Sequence, residues 1–262
     1  MNNYLKLILV YIKKSCIRDM EYRVNMVTNV MTDLIFNLLK IALIEIIFVN
    51  VESIVGFSKY QIMYIFGISF IVMSIYMTFV FFNHIMMPCK IQSGDLDLLL
   101  TKPVSPIFEL SFRTFNTAGI GSGIFGAYVL YISAKNLHLV WGGKEIVILL
   151  LLILSGFTAY YSLSLFIYTF AFYTIKTNGF INIIVDIGEI MKYPFQLFPK
   201  IVQIILSFVV PVFMVATYPA EIMLHQIPMK YTALCILISC IMLAVARGFF
   251  QHAIKKYSSA SC

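Results

Sequence analysis

Charged residues and catalytic motifs are both scarce in this sequence. Asp, Glu, Lys and Arg make up only 12% of its residues, about half the share of an ordinary soluble domain. It contains no HExxH, CxxC, GxSxG or nucleotide-binding GxxxxGK motif. Its four histidines stand singly, without the spacing of metal ligands: His84, His138, His225 and His252. We therefore predict no enzyme activity, no metal site and no cofactor.

Cysteine is also sparse, and its distribution argues against a disulfide framework. The five residues are an odd number without a tight pairing pattern: Cys16, Cys89, Cys235, Cys240 and Cys262. The first apolar run, Leu7 to Ile12, is too short for a signal peptide. Lys13 and Lys14 then stand where a small-residue cleavage site would be, so we expect no cleaved signal.

Long apolar runs dominate what is present. Apolar residues make up 61% of the chain, and the mean hydropathy is +0.91. Continuous runs of about 20 such residues suit helices that cross a ~30 Å hydrocarbon core. We predict an all-α integral membrane protein, with residues 1–262 as one domain and six transmembrane helices. The spans are predicted at Met26–Val49, Gln61–Asn83, Ile107–Ile132, Glu145–Phe172, Lys200–Thr217 and Tyr231–Phe250.

The distribution of basic residues predicts the orientation. The net charge is +7, and most Lys and Arg residues fall in one set of loops. The positive-inside rule places that set, both termini and the Gly94–Pro106 loop in the cytoplasm. No basic run is interleaved with aromatics, so we do not predict nucleic-acid binding. The inward set is Lys6, Lys13, Lys14, Arg18, Arg23, Lys90, Lys102, Lys176, Lys192, Lys200, Lys255 and Lys256, and the outward set is Lys59, Lys135, Lys144 and Lys230.

Three segments are predicted not to span the membrane. Residues 1–25 fit an amphipathic helix lying in the membrane plane, with basic residues near the headgroups. Residues 84–106 form a cytoplasmic loop with a short, leucine-rich helix. Residues 173–199 form a cytoplasmic or interfacial amphipathic segment. Its apolar stripe is Phe180, Ile183, Ile184, Ile187, Ile190 and Met191, and the opposing polar residues are Asn182, Asp186 and Glu189.

Several polar residues fall inside or beside the predicted spans. Asp33, Asn37 and Lys40 share one face of the first span. A charge at the membrane centre costs roughly 2.5–3.5 kcal/mol, so this face should contact protein or water. A polar pathway and bonding between helices both fit it. Glu109 and Arg113 are spaced i,i+4, and we favour a structural anchor near the headgroups over a gate.

A glycine-rich stretch in the third span has the letters of a dinucleotide-binding motif. The GSGIFG sequence at residues 121–126 lies inside a membrane span, where the required βαβ unit is absent. The row of small residues Gly119, Gly123 and Ala127 instead predicts close packing against another helix.

Two motifs resemble a known family. The sequence SGDLDLLLTKPVSP covers Ser93–Pro106, and KYSSA covers Lys256–Ala260. Both resemble the permease subunits of type-2 ABC exporters, in the small six-span branch. The likeness in layout covers nearly the whole chain.

The resemblance implies partners that the chain itself lacks. In that family the loop after the second span resembles a coupling helix that contacts a separate ABC ATPase subunit. Two permease subunits, identical or paralogous, assemble with it in the bacterial inner membrane, and substrates move outward. Carried over, the contact residues are Gly94, Asp95, Leu96, Asp97 and Leu98.

Two other functions stay open from the residues alone. An ion- or proton-coupled secondary transporter could use Asp33, Lys40 and Glu45 as a relay. A membrane enzyme would need convergent His, Asp or Ser motifs, which the sequence does not offer. Peptides, drug-like amphiphiles and lipids all remain possible substrates.

Overall fold

We describe the protein from a computed structural model that covers residues 2–174 and 177–257. Lys176, Cys262 and the Ser258–Ala260 part of the KYSSA motif lie outside the described residues. The helices are α1 (Asn2–Glu21), α2 (Arg23–Asn50), α3 (Lys59–Gln92), α4 (Asp95–Leu100), α5 (Pro106–Phe112), α6 (Gly119–Asn136), α7 (Gly143–Phe172), α8 (Asn178–Ile190), α9 (Lys200–Ile204), α10 (Thr217–Met223) and α11 (Tyr231–Lys255). A π-helical turn, Met77–Phe81, lies within α3, and the last residues of α7 are 3₁₀-helical.

The predicted class, an all-α membrane protein, is confirmed, but the count of six spans is not. In the described ranges, three helices are long and apolar enough to cross a membrane: α3, α7 and α11. Helix α2 has 28 residues, about 42 Å of helix, but Asp33, Lys40 and Glu45 interrupt its apolar surface. The other predicted spans consist of shorter pieces.

Helix α3 is the centre of the bundle. It packs against α6 on one side and α7 on another, and α11 packs on the far side of α7. Large aromatic side chains fill the space between α3 and α7, and the Tyr76 and Tyr160 rings meet edge to face, with centroids 4.7 Å apart. Helix α2, by contrast, buries only Ile44 fully.

The predicted third span, Ile107–Ile132, is not one helix. Helix α5 ends at Phe112, α6 begins at Gly119, and the chain between them is not helical. The backbone N–H groups of residues 114–117 all donate to groups on other elements, which replaces the lost helical bonds. The bonds are Thr114 N to Asn83 Oδ1 (2.9 Å), Phe115 N to Ser15 Oγ (3.0 Å), Asn116 N to Thr78 O (2.9 Å) and Thr117 N to Asp19 Oδ2 (3.2 Å).

The predicted fifth span, Lys200–Thr217, is also broken. Helix α9 has five residues, a π-helical turn follows at Ile205–Val209, and the chain leaves the helix at Pro211. Proline has no N–H to continue a helix, so this break has a local cause.

Helix α8 packs against α3 and α7 with one face and is exposed on the other. Its Gly188 faces Met73 of α3 and Tyr160 of α7, and the Tyr160 hydroxyl donates to the Ile184 carbonyl at 2.6 Å. Ile184, Ile187 and Met191 of the predicted apolar stripe are buried, whereas Ile183 is exposed.

Candidate functional site

A polar cavity lies between α2, α3, α6 and α8. It has a volume of about 330 Å³, and Asp33, Asn37 and Lys40 of α2 all line it. The spacing of these residues puts them on one helical face, as the sequence predicts. The Asn37 side-chain amide donates to Ser122 Oγ of α6 at 3.0 Å. The cavity thus has polar groups on one side and apolar side chains of α3 on the other: Phe70, Met73 and Met77.

Two lysines share one carboxylate at the α8 side of this cavity. Lys40 Nζ lies 2.8 Å from Glu189 Oε1, and Lys192 Nζ also contacts this oxygen. Lys192 is buried, and Glu189 is half-exposed. Glu189 therefore holds α2 against α8. This contact could not be read from the sequence, because the partners are 149 residues apart.

Asp33 and Glu45, the other charges of the predicted relay, do not join this cluster. Glu45 pairs with Lys59 at the start of α3, at 3.0 Å. Among the residues that the structure describes, the Asp33 carboxylate has no hydrogen bond or ion pair, and it is exposed at the cavity edge. Asp33, Lys40 and Glu45 thus do not form one continuous chain of bonded groups.

Glu109 lies elsewhere, where α1 meets α5. It is buried, and the Tyr11 hydroxyl of α1 donates to its Oε1. Lys102 Nζ and Arg113 Nε lie 3.8 and 4.0 Å from Oε2, beyond hydrogen-bond distance. Glu109 and Arg113 therefore form a cluster separate from the cavity at Asp33, Asn37 and Lys40.

The contacts of α1 shift the pKa values of two of its residues. Burial raises the pKa of Tyr11 to about 12, and the hydrogen bond to the Glu109 carboxylate adds to this. Partial burial acts to raise the pKa of Asp19, but hydrogen bonds from Thr117 and Arg18 outweigh burial and hold the pKa below its usual value. Asp19 is therefore a charged carboxylate that accepts hydrogen bonds from Thr117, in the non-helical chain between α5 and α6.

Helix α4 carries the residues predicted to contact an ATPase. Gly94 precedes it with a positive φ of 79°, a conformation that glycine adopts without strain. Leu96 and Leu99 are buried within the chain, so Leu96 cannot serve as a free contact residue. Leu98 is 68% exposed and Leu100 40%. The exposed apolar surface of α4 is therefore smaller than the sequence predicts, and Leu98 is its main side chain.

The close packing predicted for α6 involves a different third residue. A Cβ at Gly119 or Gly123 would collide with Thr78 or Ser74 of α3. At Gly126 it would lie 2.8 Å from Phe70 Cβ, whereas Ala127 is exposed. The third small residue that packs against α3 is therefore Gly126 and not Ala127.

Sequence reasoning also missed a buried polar network around His84. Its Nδ1 lies 2.7 Å from Ser164 Oγ, and its Nε2 lies 3.3 Å from Ser111 Oγ. Tyr76 and Tyr161 extend this network through the same two serines. The network ties α3, α5 and α7 together. A lone histidine and scattered serines gave no sequence signal for it.

Together these features define a helical membrane protein with polar groups gathered in one cavity and around one broken helix. The chain matches a family model described as "ABC-2 family transporter protein" over residues 34–261. Because this match covers most of the chain, the protein belongs to the ABC-2 transporter family and is an ABC-type permease, the membrane component of a transporter. This confirms the resemblance drawn from the two motifs. The search of curated proteins found no match, and neither did the search of solved structures.

Proposed function

We propose that this protein is the membrane-spanning subunit of an ATP-driven exporter and works with a separate ATPase subunit. The main support for this proposal is helix α4. Its buried Leu96 and Leu99 fix it to the bundle, while Leu98 projects from it. A short helix that is anchored on one side and apolar on the other suits a docking element for a partner protein.

A second permease subunit, the same chain or a paralogue, would cover α2 and α8. Asp33, Asn182 and Asp186 are exposed on these two helices, near the Lys40–Glu189 pair. The two carboxylates, Asp33 and Asp186, would each cost roughly 2.5–3.5 kcal/mol at the centre of a lipid bilayer. Contact with protein or with a water-filled pathway removes this cost. The cavity at Asp33, Asn37 and Lys40 would then open towards the subunit interface and form part of the translocation pathway.

The proposed topology has six crossings in the bacterial inner membrane, with both termini cytoplasmic. Five are α2, α3, the pair α5 and α6, α7 and α11. The other is α8, which runs from the Tyr168 end of α7 towards Phe66 of α3 and so replaces Lys200–Thr217. This topology assigns Lys192 and Lys200 to the outer side and not to the cytoplasmic side. Most of the other Lys and Arg residues stay on the cytoplasmic side, as the positive-inside rule requires.

Paired leucine variants test this proposal. Leu98→Ala should leave thermal stability nearly unchanged, because its side chain is mostly exposed. Loss of a leucine buried on the ATPase would weaken docking by about ten-fold or more. Leu98→Ala should therefore reduce co-purification of the ATPase subunit and lower substrate-stimulated ATP hydrolysis. Leu96→Ala is the structural comparison, and we expect it to cost about 2–5 kcal/mol of stability.

Two results would contradict the proposal. Leu98→Ala protein that binds its ATPase and exports normally would place the contact elsewhere, most simply on α1. Purified permease that moves substrate in liposomes in response to an ion gradient alone would favour the secondary transporter.

A further inference from the structure

A second cavity, distinct from the polar cavity at Asp33, lies between α1 and the chain from Lys102 to Thr114. Its volume is about 560 Å³. Four cationic side chains line it: Lys14, Arg18, Lys102 and Arg113. Two come from α1, and two come from the segment around α5.

The carboxylates at this cavity do not balance its positive charge. Glu109 is the one carboxylate among the described residues that line it, and Asp19 beside the cavity pairs with Arg18 at 2.9 Å. Four cationic groups against these two carboxylates leave an excess of two positive charges. Lys102 and Arg113 reach Glu109 only at 3.8 and 4.0 Å, and about 40% or more of each side chain is exposed. Their charged groups therefore remain accessible to a ligand.

Apolar side chains form the rest of the cavity wall. Leu7 and Val10 of α1 line it together with Pro103 and Val104. Leu9, next to Val10, is 65% exposed, so the apolar surface continues outside the cavity. An amphipathic helix of this kind lies where the hydrocarbon meets the headgroups. The cavity thus offers cations to an anionic head and an apolar edge to a chain attached to it.

We propose that this cavity binds the phosphate headgroup of an anionic phospholipid, with its acyl chains along Leu7 and Val10. Basic pockets at membrane helices are suited to anionic headgroups, and each Lys or Arg near the surface strengthens binding by about five-fold. The bound lipid would offset the excess positive charge and fix α1 to the membrane beside α5. This binding does not depend on what the permease transports.

Native mass spectrometry of the delipidated full chain in neutral detergent tests the proposal. Phosphatidylglycerol should bind at least ten-fold more tightly than phosphatidylcholine. The pair Lys14→Gln and Lys102→Gln should weaken phosphatidylglycerol binding by about five-fold for each lysine removed. Arg113 is kept so that the buried Glu109 retains a cation. If the double variant does not fold, Lys14→Gln alone decides the question, because Lys14 is exposed.

The matched control is Lys6→Gln with Lys13→Gln, which removes the same charge from α1 outside the cavity. This control should bind phosphatidylglycerol like the unaltered protein. Equal loss in both double variants would show attraction to α1 as a whole and would overturn the site. Equal affinity for the two lipids in the unaltered protein would also overturn it. Displacement of phosphatidylglycerol by equimolar inorganic phosphate would assign the cavity to a free anion and not to lipid.

Discussion

At the scale of single residues, Glu221 of α10 is a buried acid with one polar partner on another segment. It is 2% exposed and accepts a hydrogen bond from Gln196 Nε2 at 2.7 Å. Burial raises its pKa from 4.5 to about 7, and the bond from Gln196 only partly opposes this. Between about pH 4.5 and pH 7 the folded protein therefore keeps a proton on Glu221 that the unfolded chain has lost.

This difference makes stability depend on pH. Because the folded pKa is the higher one, the Glu221 contribution should fall as the pH rises from about 4.5 to about 7, and then level off. Glu221→Gln should remove this dependence and should be the more stable protein at pH 8. Thermal unfolding in detergent across this pH range measures both proteins. Parallel pH profiles for the two would contradict the prediction.

At the scale of elements, the break between α5 and α6 depends on side chains from α1 and α3. Asn83 is 2% exposed and makes two bonds with Thr114: its amide donates to the carbonyl at 2.7 Å, and its Oδ1 accepts from the N–H at 2.9 Å. Asn83→Leu would leave both backbone groups without this partner, at about 1–3 kcal/mol each. We expect a fall of several degrees in the unfolding temperature.

A second asparagine provides the control for this prediction. Asn136 lies at the exposed end of α6, and in the described part of the chain its side chain bonds to Ile132 O of the same helix. Asn136→Leu makes the same chemical change and should leave the unfolding temperature nearly unchanged. If both variants unfold at the temperature of the unaltered protein, the α5–α6 break does not depend on Asn83.

The sequence predicts these elements unevenly, for physical reasons. Length and hydropathy suffice for α3, α7 and α11, because a long apolar helix is a local property. The α5–α6 break was missed because its backbone partners come from α1 and α3, as with Ser15 and Phe115. The contact of α8 with α2 was missed because Glu189 lies on the polar face of its own helix, and its partner Lys40 comes from a distant part of the sequence.

The candidate site was predicted in the same uneven way. Helical periodicity correctly puts Asp33, Asn37 and Lys40 on one face, because all three are on one helix. It could not separate Leu96 from Leu98, since only the contact of α4 with the bundle determines which leucine is buried. The Glu189 and Lys192 side of the cavity requires the tertiary fold.

At the scale of the whole molecule, the surface that includes Asp33 differs from the surface of α11. Phe36 lines the cavity with Asp33 and is 58% exposed. Leu237 on α11 is 57% exposed and lies in a highly apolar span. Exposure is thus nearly equal at the two positions, but Phe36 is one turn from Asp33, which has no hydrogen bond or ion pair within the described residues and would be costly in lipid. The proposed dimer places Phe36 near its counterpart in the second subunit, and it leaves Leu237 facing lipid.

Cysteine cross-linking in membranes distinguishes these two surfaces. In a protein whose own cysteines are replaced, Phe36→Cys should form a covalent dimer under mild oxidation, and Leu237→Cys should remain a monomer. If the partner is a paralogous permease, Phe36→Cys should cross-link only when that chain is co-expressed with a cysteine at the corresponding position. A dimer that forms through Leu237→Cys and not through Phe36→Cys would move the interface to α11. The Asp33 cavity would then face lipid or water, and its role in a pathway between two subunits would be wrong.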